Sequence, residues 1–219
     1  RVVIFYLFSI SNHCALVSFL CSYFFPASLE GKSAYNVQNA MFAAVMAFSF
    51  GVDLDNIRHG LRTFDTSFFQ VPGRTNVFDE HPFKVILDYA HNPAAFTALS
   101  GLVDQLEVAG RRILVVSVPG DRRDEDVAEA ARILASHFDV FICKADANRR
   151  GRGHDEIPQM LRKNLMANGV ASENIIIQTE EPEALDIALN MAAEGDLVVI
   201  NGDDTVRCWK QIIYFKNPN

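Results

Sequence analysis

Asp88, His91 and Asn92 fall within a single short stretch, Lys84-Val85-Ile86-Leu87-Asp88-Tyr89-Ala90-His91-Asn92-Pro93. A carboxylate and an imidazole this close can orient a ligand hydroxyl, hold a proton or bond each other. The apolar run before them reads as a buried strand stopping at Asp88, and Pro93 stands where the first helical residue would. Both groups therefore belong to the loop at the carboxyl end of a strand, beside a helix N-terminus. Open α/β sheets bind ligands there, and unpaired backbone N–H groups there favour an anion. A plainer reading stays open, in which Asp88 and His91 cap the helix and bond each other.

Further loops carry charge at matching places: Asp121-Arg122-Arg123 after Gly120, Arg149-Arg150-Gly151-Arg152 after Asp146, and Asp203-Asp204 ahead of Arg207. Guanidinium forks of this kind clamp phosphates or carboxylates bidentately. Asp124 and Glu125 lie at a helix start and read as capping and surface pairs with Arg123, worth little. The glycine-flanked loop from Arg149 to Arg152 reads as ligand-facing. Gly31-Lys32-Ser33 ends like a phosphate-binding P-loop, but its first glycine should fall at position 26, which holds Pro26.

The elements that must position these loops alternate. Strands are expected over Val85–Leu87, Ile113–Val118, Val140–Cys143, Ile175–Ile177 and Leu197–Ile200. Helices are expected over Ala94–Leu106, Glu125–His137, Asp155–Asn168, Pro182–Ala193 and Val206–Phe215. Such alternation indicates an α/β domain with a Rossmann-like, mainly parallel sheet covered on both faces. No G-x-G-x-x-G occurs, so a dinucleotide is not the favoured ligand. Upstream, helices are expected from Asn36 to Phe50, with Gly51 just past the end, and from a cap at Asp53 through Leu61. Val71-Pro72-Gly73-Arg74 reads as a rigid turn at a domain boundary. Phe64, Phe68 and Phe69 are expected to pack between domains, and Trp209 to anchor the core. His13, His59, His81 and His137 read as structural or exposed.

A chain of 219 residues, nearly half of them hydrophobic, can bury a large core, and its net charge of −7 argues against nucleic acid as a partner. Cys14, Cys21, Cys143 and Cys208 show no metal spacing and read as reduced cytoplasmic thiols. Val2 to Ile10 and Ala15 to Phe25 are strongly apolar, yet each is shorter than the roughly 20 residues of a membrane span. Two strands, or a strand and a short helix, are expected there. The start at Arg1 in place of Met suggests a fragment.

Three segments taken together, Tyr35 to Ala40, Pro72 to Arg74 and Asp88 to Pro93, resemble the Mur ligase superfamily. The segments Gly120 to Asp126, Arg150 to Gly153, Gly195 to Val198 and Trp209 to Ile212 are similar to its cyanophycin synthetase branch. The resemblance implies that residues 1–71 are the end of a central ATP-binding domain and 72–219 the C-terminal Rossmann-like domain. It implies an ATP-dependent ligase that phosphorylates a carboxylate with ATP and Mg²⁺, after which an amine attacks the acyl phosphate, joining aspartate and/or arginine. By resemblance, Asn39 contacts adenine, Arg74 is the catalytic residue reaching the phosphates, Asp88 holds the ribose, and His91 lies beside it. Asn92, Asp121, Arg122, Arg123, Arg149, Arg150 and Arg152 would face the amino acid or acceptor. The family's P-loop, Mg²⁺ ligands and modified lysine lie upstream of these residues. No metal ligand is therefore expected here, and no ATP turnover by the isolated chain. Implied partners are small amino acids and an Asp-Arg polymer, with no membrane, a cytoplasmic setting and a homo-oligomer in the full-length protein. Open alternatives are a Mur-type ligase acting on a peptidoglycan precursor or a folate, and an inactive binding or oligomerisation remnant.

Overall fold

The computed structural model describes residues 25–216, so the elements expected before Phe25, with Cys14 and Cys21, lie outside the described residues. The chain divides into two units, Arg1–Thr66 and Ser67–Asn219.

In the first unit a 3-10 turn at Pro26–Ser28 leads to helices α1 (Ala34–Ser49) and α2 (Leu54–Thr63). Helix α1 ends at Phe50, followed by Gly51 at φ +82°, a left-handed position that glycine adopts without a Cβ clash. The Asp53 carboxylate starts α2 by accepting from the amides of Asp55 at 3.0 Å and Asn56 at 2.9 Å. The two helices pack through Ala44 and Ile57 with Ala47, Leu54 and Leu61.

The second unit alternates as expected: β1 (Asn76–Phe78), β2 (Lys84–Asp88), α3 (Pro93–Gln105), β3 (Arg112–Val116), α4 (Asp124–Leu134), β4 (Val140–Cys143), α5 (Glu156–Ala167), β5 (Ile175–Ile177), α6 (Glu181–Met191), β6 (Leu197–Asn201) and α7 (Thr205–Tyr214). The sheet runs β1-β2-β6-β3-β4-β5, and β1 alone is antiparallel to its neighbour. The strands are apolar at every interior position because both faces are covered. Ile86, Leu114, Val116, Phe141 and Val199 face α3, α4 and α5, whereas Val85, Leu87, Ile113, Val115, Ile142, Val198 and Ile200 face α6 and α7.

The order carries a functional consequence. From β2 the chain steps through β3 and β4 to β5 by way of α3, α4 and α5, and α6 then returns it to place β6 between β2 and β3. The carboxyl ends of β2, β6 and β3 are therefore neighbours, with connections leaving toward opposite faces, and a crevice opens at such a point.

Phe68, expected to pack between domains, stacks on Trp209 within the second unit, rings 5.0 Å apart and parallel, while Phe78 meets the indole edge-on at 6.0 Å. Phe69 stands almost wholly in solvent. His81 lies inside the aromatic cluster, with Nε2 2.8 Å from the Ile212 carbonyl, and His137 pairs with Asp104 at 2.9 Å.

Candidate functional site

The expected site residues begin at a turn. The Arg74 amide donates to the Val71 carbonyl at 3.2 Å, with Pro72 and Gly73 between them. Proline in second place and a glycine at φ +71° in third are what a type II turn requires. The fully buried Asn76 side chain threads the turn, accepting from the Gly73 amide at 2.6 Å and donating to the Val71 carbonyl at 2.9 Å. A Cβ at Gly73 would lie 2.5 Å from Thr205 Cγ2, so the turn packs directly against the start of α7.

Thr75 ties this turn to the end of β2. Its amide and its hydroxyl both donate to Asp88 Oδ2, at 2.9 and 3.0 Å. Burial pushes the Asp88 carboxyl above the usual carboxylate range, while the Thr75 bonds and the Arg74 guanidinium pull it back down. Arg74 itself is exposed. The reading in which Asp88 and His91 cap α3 and bond each other is not what the chain does. His91 Nδ1 lies 3.1 Å from the Tyr89 carbonyl. Asn92 does the capping, its Oδ1 accepting from the Ala95 amide at 2.9 Å ahead of Pro93.

The loops after β3 and β4 lean on each other. Asp121 and Arg150 form an ion pair that holds the carboxyl below its ordinary range. A Cβ at Gly120 would run into the Arg149 carbonyl oxygen, so the loops touch backbone to backbone. Arg152 was expected to face substrate, but the fold occupies it. Nε donates to the Gly120 carbonyl at 2.9 Å, and Nη2 to the Arg122 carbonyl and Asp124, each at 2.8 Å. Nη1 donates to Glu156 at 2.8 Å. Arg123 is spent on Asp126 at 2.8 Å, a surface pair as expected but with a different carboxylate, since Asp124 takes Arg152. Arg122 is half-buried, and its Nε lacks a partner among the described residues. Arg149 is exposed and makes no ion pair among the described residues.

Arg74, Asp88, His91, Asp121, Arg149 and Arg150 thus share one edge of the sheet in the second unit. Asn39 is exposed on α1 of the first unit. The loop after β6, expected at that edge of the sheet, and two residues missed by sequence reasoning, Lys144 and Glu181, complete it. Asn201 at the end of β6 accepts from the Ser117 amide at 3.2 Å and donates to the Ala90 carbonyl, stitching three strand ends together. Lys144, fully buried after β4, reaches Asp203 at 2.8 Å and Glu181 at 3.1 Å. Burial alone would push Glu181 up, but the Lys144 ammonium, two backbone amides and Arg207 outweigh it and hold the carboxyl at about 2. Asp146, beside this group, is pushed up by burial and by Asp203. Among the described residues no cluster of three or more histidine, cysteine, aspartate or glutamate side chains could hold a metal ion.

Residues 73–203, from the glycine of the type II turn to the acidic partner of Lys144, match the family model of the Mur ligase glutamate ligase domain. The chain belongs to the Mur ligase family. It is 38% identical over 176 residues to the cyanophycin synthetase of Geminocystis herdmanii, covering 80% of this chain and 20% of that protein. The chain therefore spans about a fifth of that relative's length. A pseudomurein peptide ligase type C from Methanothermus fervidus superposes with TM-score 0.61 at 26% identity, covering 82% of this chain and 35% of that one. E. coli FolC, solved in complex with ADP, superposes with TM-score 0.56 at 26% identity, over 74% and 35% of the two chains. In this Mur ligase domain no helix of the described residues is long and apolar enough to cross a membrane.

Proposed function

We propose that this chain is the C-terminal part of an ATP-dependent carboxylate–amine ligase of cyanophycin synthetase type, joining aspartate and/or arginine through an acyl phosphate. In this reading residues 1–71 end the central ATP-binding domain and 72–219 form the C-terminal domain. The observation that carries it is the Thr75 tie: it fixes an exposed arginine and a half-buried carboxylate side by side at the sheet's crevice. The donor set suits a nucleotide. Asp88 offers a carboxylate for ribose hydroxyls and Arg74 a guanidinium for phosphate oxygens; Asn39, in the first unit, is assigned to adenine by the family resemblance alone. The ADP complex of a structural neighbour supports that choice of ligand.

In the proposed reaction a substrate carboxylate oxygen takes the terminal phosphoryl group of ATP, and ADP leaves. The amine nitrogen then attacks the acyl carbon, phosphate departs and the nitrogen loses a proton. Arg74 acts by electrostatics on the charge of the transferring phosphoryl group, not by proton transfer. His91 lies beside the nucleotide. Asn92, Asp121, Arg122, Arg123, Arg149, Arg150 and Arg152 form the substrate side. Arg149 is the side chain most open to a carboxylate, and Arg152 and Asn92 act through the loops they hold. Mg²⁺ belongs to the proposal, with ligands outside these residues. The cytoplasmic setting is proposed from the free buried thiols Cys143 and Cys208. An Asp-Arg polymer as acceptor and a homo-oligomer of the full-length protein complete the reading.

The 219 residues contain no P-loop pattern, so the isolated chain is expected not to turn over ATP. The test uses the full-length protein from its native source with ATP, Mg²⁺, aspartate, arginine and an Asp-Arg primer. Incorporation of both amino acids is expected. Incorporation of neither, with activity on a peptidoglycan precursor or a folate, would contradict it.

A further inference from the structure

A buried charge network at the carboxyl ends of β4 and β6 is used by nothing in the proposed chemistry. Lys144 is 0% exposed, and a lysine is almost never so without partners. Its ammonium lies 2.8 Å from Asp203 Oδ2 and 3.1 Å from Glu181 Oε1. Glu181, the first residue of α6, also accepts from the amides of Asp203 at 2.6 Å and Asp204 at 3.2 Å, and from Arg207 Nη2. Asp203 Oδ2 accepts in addition from the Ala147 amide at 3.1 Å. The loops leaving β4 and β6 are thereby tied to each other and to the start of α6.

Stability alone does not account for this arrangement. Apolar residues of the same volume often hold a fold as well as a buried ion pair does, because taking charges out of water costs much of what their attraction returns. Apolar contacts do not fix direction, however, and hydrogen bonds to a buried ammonium do. The β4–α5 loop carries Arg149 and Arg150. The β6–α7 turn carries Thr205, which packs on the Gly73 turn next to Arg74. We propose that Lys144 is a positioning residue: held between Glu181 and Asp203, it sets the loop bearing Arg149 and Arg150 against the Asp203–Thr205 turn. The role of that loop in binding an amino acid rests on the ligase reading, while the geometry does not.

Two variants test it, Lys144→Met and the charge-balanced pair Lys144→Met with Asp203→Asn. Backbone amide exchange in the present chain is followed separately for residues 146–152 and for the β3 core. Because Lys144→Met alone strands two buried carboxylates and destabilises the whole unit, exchange is read in the charge-balanced pair, which is expected to speed exchange in the loop by about tenfold or more with the core held within about twofold. Equal acceleration in both, or none in the loop, overturns the proposal. In the full-length protein, Lys144→Met is expected to raise KM for the amino acid by about 10–100-fold while KM for ATP stays within about twofold. An unchanged amino-acid KM overturns the proposal. No ligase activity in the unsubstituted full-length protein would instead defeat the functional reading, and loop exchange then decides the positioning role alone.

Discussion

Thr75 and Asp88, thirteen residues apart, are joined by two hydrogen bonds to one carboxylate oxygen, from the Thr75 amide at 2.9 Å and its hydroxyl at 3.0 Å. Thr75 adopts φ +54° to make them, a left-handed conformation that a β-branched residue occupies only when its surroundings require it. The backbone that carries Arg74 is thus set by a contact to the residue proposed to hold the ribose. Asp88→Ala should leave the buried Thr75 amide without this acceptor and lower stability by about 1–3 kcal/mol. In the full-length enzyme it should also raise KM for ATP more than KM for the amino acid. Denaturant unfolding and initial-rate kinetics check the two parts.

Arg152 and Arg149, three residues apart, should separate stability from function. Arg152→Ala removes bonds to the Gly120 and Arg122 carbonyls and to two carboxylates, and is expected to cost about 1–3 kcal/mol. Arg149→Ala touches no ion pair among the described residues and should change stability by less than about 0.5 kcal/mol. Its effect should fall on KM for the amino acid. Thermal melts of both variants beside kinetics of the full-length protein give the comparison.

Acid should weaken the second unit through Glu181. Its carboxyl is held at about 2, against an ordinary value of 4.5, by Lys144, Arg207 and the amides of Asp203 and Asp204. A lowered folded-state value means that the stabilisation is complete above pH 4.5 and is lost as pH falls from there toward 2. Its size is on the order of 3 kcal/mol. Unfolding free energy measured across pH 2–6 should fall through this window in the unsubstituted chain, and more shallowly in Glu181→Gln.

Gly120 marks the closest approach of the two substrate-side loops. A methyl group there would overlap the Arg149 carbonyl, which is backbone and cannot turn aside. Gly120→Ala should therefore push the loops apart and destabilise by about 1–3 kcal/mol. The amide signals of residues 149–152 should shift while those of β5 do not.

Every parallel strand and every α-helix of the second unit was legible, because strands covered on both faces are continuous apolar runs and the helices between them are amphipathic. Strand β1 was not: three residues long, antiparallel and at the sheet edge, Asn76–Phe78 carries no run to read. The line of loops at one sheet edge was also legible, since topology alone places them there. What each side chain does was less so. Arg152 looked like a ligand clamp because sequence shows its charge and not the carbonyls of Gly120 and Arg122 that surround it. Lys144 and Glu181 drew no notice, since a lone lysine and a glutamate at a helix start are ordinary surface residues until the fold brings them within 3.1 Å of each other. Asn92 and His91 stand in the expected loop but use their polar atoms on local backbone.

The most direct measurement of the central claim is hydroxylamine trapping with the full-length protein, ATP, Mg²⁺ and an aspartate-bearing primer, before any amine is added. Hydroxylamine converts an acyl phosphate to a stable hydroxamate. ATP-dependent hydroxamate formation on the primer carboxylate, falling about 10²-fold or more in Arg74→Ala, is what the account predicts. A primer carrying no hydroxamate, in a preparation that still releases ADP, would contradict it.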